Sequence, residues 1–261
     1  MSDDAPAPVW LHELTWPAVE SYLESEPTPT VLVPVGSTEQ HGPHLPLGVD
    51  GFQARSLAEE IAVATDVLTA PPLWYGDADH HLGFPGTISL STDTVVSVLS
   101  DIYDSLANHG FVNIITVNGH RIANLTAIRI AMDRANRTHP DASFAAIDPL
   151  RIGIDAHRRL RDGDSEDGMH GGEFETSFML ANHPELVREA EFTREVTETE
   201  PYQSDDLVSL TDSVIRPHGR RTPEDGSLGH VGDPTNASAE KGDELWAELV
   251  ANAADFIDSL R

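Results

Sequence analysis

Short apolar runs and longer amphipathic stretches alternate through the first half of the chain. The apolar runs have the length of strands, are rich in β-branched residues and end at glycine or in polar loops, which is typical of buried strands. The amphipathic stretches repeat their apolar positions with the period of a helix. We predict strands over residues 30–36, 67–76, 112–119 and 143–148, the second of them running into a loop, and helices over residues 52–65, 92–110 and 125–137.

The repetition of strand, helix and strand predicts an α/β fold: a mostly parallel central sheet flanked by helices on both faces, in three layers. The second half is less regular, with helices predicted over residues 173–182 and 237–260 and loops or a lid over 193–229. A chain of 261 residues without internal repeats predicts a single domain over residues 1–261. Residues 1–8 are acidic and proline-rich, so we expect a flexible terminus and not a signal peptide.

The excess of acidic residues argues against some classes of binding partner. There are 44 acidic against 16 basic residues, and Lys241 is the only lysine. Such a surface repels phosphate backbones and anionic lipids, so we expect neither a nucleic acid nor a membrane as partner. It favours a halophilic source, because high salt screens the repulsion among acids; the alternative is that acidity only aids solubility. No apolar run approaches the ~20 residues that span a bilayer, so we expect a cytoplasmic protein.

The absence of cysteine restricts the available chemistry. Thiolate metal sites and thiol nucleophiles are excluded, so any metal must be bound by His, Asp and Glu. Ligands of open parallel sheets bind beyond the carboxyl ends of the strands. Glu39 and His41 follow the first predicted strand, His120 follows the third, and His170 and Glu175 flank two glycines at a predicted helix start. This pattern indicates a site for Zn, Mn or Fe(II).

Five motifs resemble those of the creatininase (creatinine amidohydrolase) family. They are PVGSTEQHGPHLPLGVD at residues 34–50, GFPGTISLS at 83–91, VNGH at 117–120, HGGEFETS at 170–177 and GDPTNASAEKG at 232–242. They follow the order of the family over nearly the whole chain. The resemblance implies a creatininase-like three-layer fold and a hydrolase that acts on non-peptide C–N bonds.

The resemblance also implies two divalent ions per chain. Its implied ligands are Glu39, His41, Asp50, His120 and Glu175. Asp50 would bridge both ions, with Glu39 and His120 on one and His41 and Glu175 on the other. Two such ions trap a bridging hydroxide at neutral pH, polarise the amide carbonyl and stabilise the tetrahedral oxyanion.

The resemblance assigns further residues to catalysis and substrate binding. His170 matches the active-site histidine of the family and is the candidate to orient substrate and shuttle a proton to the leaving amine. His80 and His81 precede the FPGT motif, where the family often places pocket residues. Arg121 and Ile122 stand where true creatininases have an aromatic residue and a metal-supporting glutamate, which argues against creatinine as substrate. Arg121 either grips a phosphate or carboxylate or forms a salt bridge to one of the many acids.

Together with these residues, the resemblance implies a hydrolase of a cyclic amide or formamide. The branch that deformylates a formylamino-ribosylaminopyrimidine phosphate is favoured, because its members also lack the glutamate and the halophilic composition points to an archaeal source. The alternatives are a creatinine, lactone or sugar-ring hydrolase on the same site, or a non-catalytic metal-binding member of the family. The resemblance also implies a small-molecule substrate and a homo-oligomer, as large as a hexamer.

Overall fold

A computed structural model of the protein describes residues 9–163, 170–195 and 222–261. Its centre is a sheet of four parallel strands in the order β2-β1-β3-β4. The strands are β1 (Thr30–Val35), β2 (Leu68–Thr69), β3 (Asn113–Asn118) and β4 (Ser143–Ile147). The α-helices of the described residues are α1 (Trp16–Ser25), α2 (Val49–Thr65), α3 (Thr92–Asn108), α4 (Arg121–Thr138), α5 (Pro149–Ile152), α6 (Ile154–Leu160), α7 (Glu173–Asn182) and α8 (Ala239–Asp258). The predicted α/β fold class is confirmed.

Helices cover both faces of the sheet. Leu32 of β1 packs in a cluster with α2, α7 and α8, whereas Val31 and Val33 pack in a second cluster with α3 and α4. Every position of β1 and β3 is buried. Strands without a solvent-facing side have no need of alternating polar residues, which explains why both appear in the sequence as continuous apolar runs.

Local sequence signals set the ends of two long helices. The side chain of Ser91 accepts a hydrogen bond from the backbone N–H of Thr94 at the start of α3, and that of Ser238 accepts one from Lys241 at the start of α8. α8 then buries one apolar stripe in the cluster that it shares with α2 and α7, formed by Leu245, Leu249, Ala253 and Ile257. The amphipathic pattern therefore predicts both helices correctly to within a few residues.

Two helices begin earlier than the pattern predicts, and both shifts concern the site. α2 begins at Val49 rather than at residue 52, so Asp50 lies inside its first turn. α4 begins at Arg121 rather than at residue 125, directly after His120. Polar residues in a first turn interrupt the apolar period, and only packing shows that the helix extends over them.

Other differences lie away from the site. β2 has only two residues, and the rest of the predicted strand is loop. The pattern does not predict α1, α5 or α6; none of the residues of α1 is fully buried, and α5 and α6 are short. The predicted terminus over residues 1–8 and most of the predicted loop-rich stretch lie outside the described residues. Within the described residues, no helix is long and apolar enough to cross a bilayer.

Two glycines allow the backbone to pack closely at the carboxyl end of the sheet. A Cβ atom at Gly119 would lie 2.1 Å from the backbone oxygen of Asp50, and one at Gly51 would lie 2.2 Å from a ring carbon of Trp74. No side chain fits at either position without displacing a neighbour. The first turn of α2 can therefore lie directly against the loop that follows β3.

Candidate metal site

The strand order places a crevice between β1 and β3. The chain leaves β1 toward β2 on one side and returns to β3 on the other, so the loops after β1 and β3 diverge at the carboxyl ends of the strands. Glu39 and His41 lie in the loop after β1, and His120 follows β3. Asp50 and Glu175 lie in the first turns of α2 and α7. The structure brings all five predicted metal ligands together at this crevice.

Asp50 lies at the centre of the cluster and faces a histidine on each side. Its Oδ1 is 3.2 Å from Nε2 of His41, and its Oδ2 is 3.1 Å from Nδ1 of His120. Ser37 donates a 2.6 Å hydrogen bond to Oδ2. Burial opposes the ionisation of Asp50, but the charges of His41 and His120 outweigh it and hold its pKa well below the usual range. Asp50 therefore presents an ionised carboxylate in two directions, as a bridging ligand requires.

Potential ligand atoms form one group on each side of Asp50. The groups are Glu39, Asp50 and His120, and His41, His170 and Glu175, each with its ligand atoms within 4.8 Å of one another. Oε2 of Glu39 is 3.3 Å from Nε2 of His120, and Oε2 of Glu175 is 3.7 Å from Nε2 of His41. The division of Glu39, His120, His41 and Glu175 matches the one that the family resemblance implies, with His170 added to the second group, but Asp50 belongs to the first group alone.

A third group joins Glu39 to His81 and His170. Nε2 of His81 lies 3.4 Å and Nδ1 of His170 lies 3.8 Å from Oε1 of Glu39. The two imidazole rings stack with their centroids 4.3 Å apart. The sequence indicates only a pocket role for His81, whereas the structure puts it in contact with a proposed ligand.

The buried carboxylate of Glu39 tests whether a cation fits here. Its Oε2 is buried and has no hydrogen-bond partner among the described residues. Burial raises the pKa of Glu39 to about 7, although the nearby charge of His120 acts in the opposite direction. A divalent cation beside Oε2 would supply the missing partner, and carboxylates with imidazoles are the donors that Zn and Mn accept. The residues therefore fit a metal site.

Two histidines of the cluster have raised pKa values, so each carries a proton that a bound cation would displace. Burial opposes the protonation of both, but Asp50 and Glu175 raise the pKa of His41 to about 10. Glu39 and Asp50 likewise raise the pKa of His120 to about 9. Because imidazole must be neutral to bind a metal, cation binding at this cluster would release protons.

Gln40, which the sequence analysis does not single out, orients His81. Its Oε1 accepts a 2.9 Å hydrogen bond from the N–H of Gly42, which sets the orientation of the amide. Its Nε2 then donates to the carbonyl of Gly229 and to Nδ1 of His81, both at 2.8 Å. Since an amide nitrogen only donates, we assign the proton of neutral His81 to Nε2, toward Glu39. The one sequence signal for this role of Gln40 was its position between the proposed ligands Glu39 and His41 in the motif.

Backbone carbonyls orient two further imidazoles. Nε2 of His170 donates to the backbone oxygen of Gln40 at 2.7 Å, and Nε2 of His120 donates to that of Asp77 at 2.8 Å. Each bond leaves Nδ1 directed into the cluster. Burial, reinforced by the charge of His41, holds the pKa of His170 well below its usual range. His170 is therefore a neutral ring whose unprotonated Nδ1 faces the cluster.

Hydrogen bonds from neighbouring residues hold the loops of the cluster. Nε2 of buried His44 lies 2.9 Å from the carbonyl oxygen of Gly171, whose own N–H donates to Oε2 of Glu175 at 2.6 Å. Asn124 donates to the carbonyl of Gly36 at 3.0 Å and so ties α4 to the end of β1. These contacts fix the positions of loops that come from distant parts of the chain.

The remaining predicted substrate residues occupy different places. His80 is partly buried, and its ring centroid lies 4.0 Å from that of His81 and 6.0 Å from that of His120. Nε of Arg121 donates to Asp148 at 3.1 Å. The sequence leaves two roles open for Arg121, and the salt bridge is present in the structure. The second role, binding of a phosphate or carboxylate, would have to use the Nη atoms of the guanidinium.

A cavity of about 100 Å³ adjoins the cluster. Glu175, Gly119 and Arg121 line its cluster side. Its walls are mostly apolar side chains, including Phe174, Phe178, Leu245, Trp246 and Leu249. The volume is several times the ~10–15 Å³ that one water needs. It is large enough for part of a small substrate.

Comparisons with known proteins give relatives over most of the chain. A family model described as creatininase, creatinine amidohydrolase, matches residues 12–257. A mycofactocin precursor peptide peptidase from Mycolicibacterium smegmatis is 33% identical over 88% of this chain and 84% of its own length. A 3-dehydro-scyllo-inosose hydrolase from Thermotoga maritima is 29% identical over 71% of this chain and 60% of its own length.

Solved structures of creatininases have the same fold. A creatininase Mn structure superposes with a TM-score of 0.83 at 28% identity and covers 97% of this chain and 98% of its own. A Zn–Zn type of a mutant creatininase superposes with a TM-score of 0.81 at 27% identity over the same fractions.

Proposed function

Because this chain belongs to the creatininase family, we propose that it is a metal-dependent hydrolase that cleaves a non-peptide C–N bond of a small amide or formamide at a site for two divalent cations. The observation that carries the proposal is Asp50, whose two buried carboxylate oxygens face His41 and His120 separately. The buried Oε2 of Glu39, which accepts no hydrogen bond among the described residues, and the Mn and Zn–Zn forms of related structures support it.

Bound cations would supply a lowered pKa for water and polarisation of the substrate carbonyl. The residues of the chain supply the rest. Asp50 holds a negative charge, and Glu39 and Glu175 supply two further carboxyl groups, in a cluster where electrostatic interactions are stronger than in bulk water. His170, neutral and with Nδ1 directed at the cluster, is positioned to take up a proton and return it to the leaving nitrogen.

A formamide is our preferred substrate class, and a formylamino-ribosylaminopyrimidine phosphate is one member of it. Arg121 and Ile122 replace the aromatic residue and glutamate of true creatininases, which favours a substrate other than creatinine. A second candidate is hydrolysis of a sugar ring or lactone, favoured by the relative that acts as a 3-dehydro-scyllo-inosose hydrolase.

Metal content and turnover test the proposal together. We expect elemental analysis of protein purified in high salt to find close to two divalent ions per chain, and chelation to stop turnover until Zn, Mn or Fe(II) is returned. Glu175→Gln should lower the metal content, whereas Glu60→Gln, at an exposed carboxylate that accepts a hydrogen bond from Trp246, should not.

A panel of formamides, cyclic amides, creatinine and lactones then identifies the bond. Protein without transition metal would contradict the proposal. Full metal occupancy without turnover of any member would support a non-catalytic member of the family instead.

We also predict an effect of Gln40 on turnover. Gln40→Met removes the amide that orients His81 while keeping the length of the side chain. We expect kcat to fall roughly 10- to 100-fold, as for other residues that orient a ligand shell, with KM and metal content nearly unchanged. The melting temperature should fall modestly, because the carbonyl of Gly229 and the N–H of Gly42 also lose their hydrogen bonds to the amide. A parallel loss of metal would assign Gln40 a structural role.

A further inference from the structure

Arg121 is only partly satisfied by its salt bridge. Nε is bonded to Asp148, but Nη2 is buried and has no hydrogen-bond partner among the described residues. The side chain is 15% exposed and lines the cavity beside the cluster. A buried N–H of a charged group that lacks an acceptor is costly, so an acceptor inside the cavity would be stabilised.

A second unsatisfied atom lines the same cavity. Nδ1 of His157 is buried and has no hydrogen-bond partner among the described residues. Its ring lies edge-on to Phe174, with centroids 4.2 Å apart. Burial, and then the charge of Arg121, lowers the pKa of His157 to about 3, so the ring is neutral and can donate or accept. Two unpartnered nitrogens in one cavity point to a missing polar ligand.

The charges around the cavity indicate whether the missing ligand is an anion or a cation. The charges of Arg121 and Arg161 both act to lower the pKa of His157, so the potential at that end of the cavity is positive, although Asp148 and Glu175 also line the cavity. The other cavity walls are mostly apolar. An anion carried on an apolar group would satisfy both features.

We propose that this cavity binds an anionic group of the substrate, carried on a short apolar stem, through Nη2 of Arg121, while the scissile C–N bond lies at the cluster beyond Glu175. The identity of the reaction rests on the proposed function; the binding site itself does not require turnover. The anion is a carboxylate or a phosphate ester, since both accept from a guanidinium.

Titration calorimetry of metal-loaded protein at constant salt tests the site. The probes are 4-methylpentanoate, 3-methylbutyl phosphate and, as the uncharged match, 4-methylpentanamide. We expect the protein to bind one of the anions at least about 10-fold more tightly than the amide, as a charge-assisted hydrogen bond allows. The more tightly bound anion identifies the chemical class.

Two variants are expected to change the affinity for the anion in opposite directions. Arg121→Met should weaken anion binding roughly 10- to 100-fold and leave amide binding unchanged. Asp148→Asn should tighten anion binding several-fold, because it removes the competing charge while its side-chain oxygen can still cap the N–H of Leu150. Arg151→Met removes the same charge as Arg121→Met from a side chain that is 46% exposed, and should change affinity little.

The controls separate this inference from the proposed function. Any direct binding of the anion to the metal ions occurs in all three variants. The difference in anion affinity between Arg121→Met and Arg151→Met therefore measures binding in the cavity. Equal losses in these two variants, or no preference for an anion over the amide, would overturn the inference even if amides are hydrolysed. Protein without metal would instead contradict the proposed function, and the same titrations on that protein would still decide the role of Arg121.

Discussion

Asp50→Asn is expected to lower kcat/KM by about 10³-fold or more and to reduce the bound metal from two ions to at most one. Asparagine has the same shape but offers one neutral oxygen and an amide that cannot ligate. It therefore cannot place an anionic oxygen beside each histidine, as the carboxylate does with Oδ1 at 3.2 Å from His41 and Oδ2 at 3.1 Å from His120. Elemental analysis and steady-state kinetics in the same buffer measure both effects.

Two comparisons separate loss of the bridge from loss of the fold. Ser37→Ala removes the hydrogen bond to Oδ2 of Asp50 and keeps the carboxylate, so we expect both ions to bind, with a loss of roughly 10- to 100-fold in metal affinity. Added metal should raise the melting temperature of the unmodified protein, because a ligand that binds only the folded state stabilises it. Asp50→Asn should lose that rise. Two ions bound to Asp50→Asn with normal affinity would disprove the bridging role.

Lys241→Met is expected to destabilise the fold by about 3 kcal/mol, toward the lower end of the range for a broken buried ion pair because Lys241 keeps some contact with water. Lys241, at the start of α8, contacts the fully buried carboxylate of Glu173 at the start of α7, the carboxylate of Asp162 and the carbonyl of Asn236. Its removal leaves a buried anion without a cationic partner. For a chain of this size the loss corresponds to a fall in melting temperature of roughly 6–12 °C.

A double variant identifies the cause of this effect. Lys241→Met combined with Glu173→Gln removes both charges and should recover much of the lost stability, because most of the penalty comes from the unpaired carboxylate. Arg159→Met provides the surface comparison, since Arg159 is itself exposed, pairs with Glu244 and Glu248 on α8, and should change stability little when it is lost. If the double variant is no more stable than Lys241→Met alone, the effect comes from lost packing and not from charge.

The fold was predictable because its long elements are strongly patterned. The buried runs of β1 and β3 and the amphipathic stripes of α3 and α8 reflect burial that every residue of the element shares. The early starts of α2 and α4 were not predictable by this route. Their first turns carry Asp50 and Arg121, whose polarity belongs to the site and not to the core.

The chemistry of the site was predictable for a different reason. Side chains that follow neighbouring parallel strands meet at one edge of the sheet, so Glu39, His41 and His120 had to lie near one another once the fold was known. The pattern could not rank two acids of α7 that stand two positions apart. The structure separates them, with Glu175 at His41 and Glu173 at Lys241.

The fold class, the family and the set of His, Asp and Glu residues available to a cation follow from the amino-acid sequence alone, through periodicity, motifs and the absence of cysteine. The folded chain was needed to show which ring nitrogen faces the cluster, which amide orients His81, and that Nη2 of Arg121 has no hydrogen-bond partner among the described residues beside a cavity. Those features depend on contacts between segments as far apart as Gln40 and Gly229. Such contacts leave no local pattern along the chain, because packing in three dimensions alone brings their partners together.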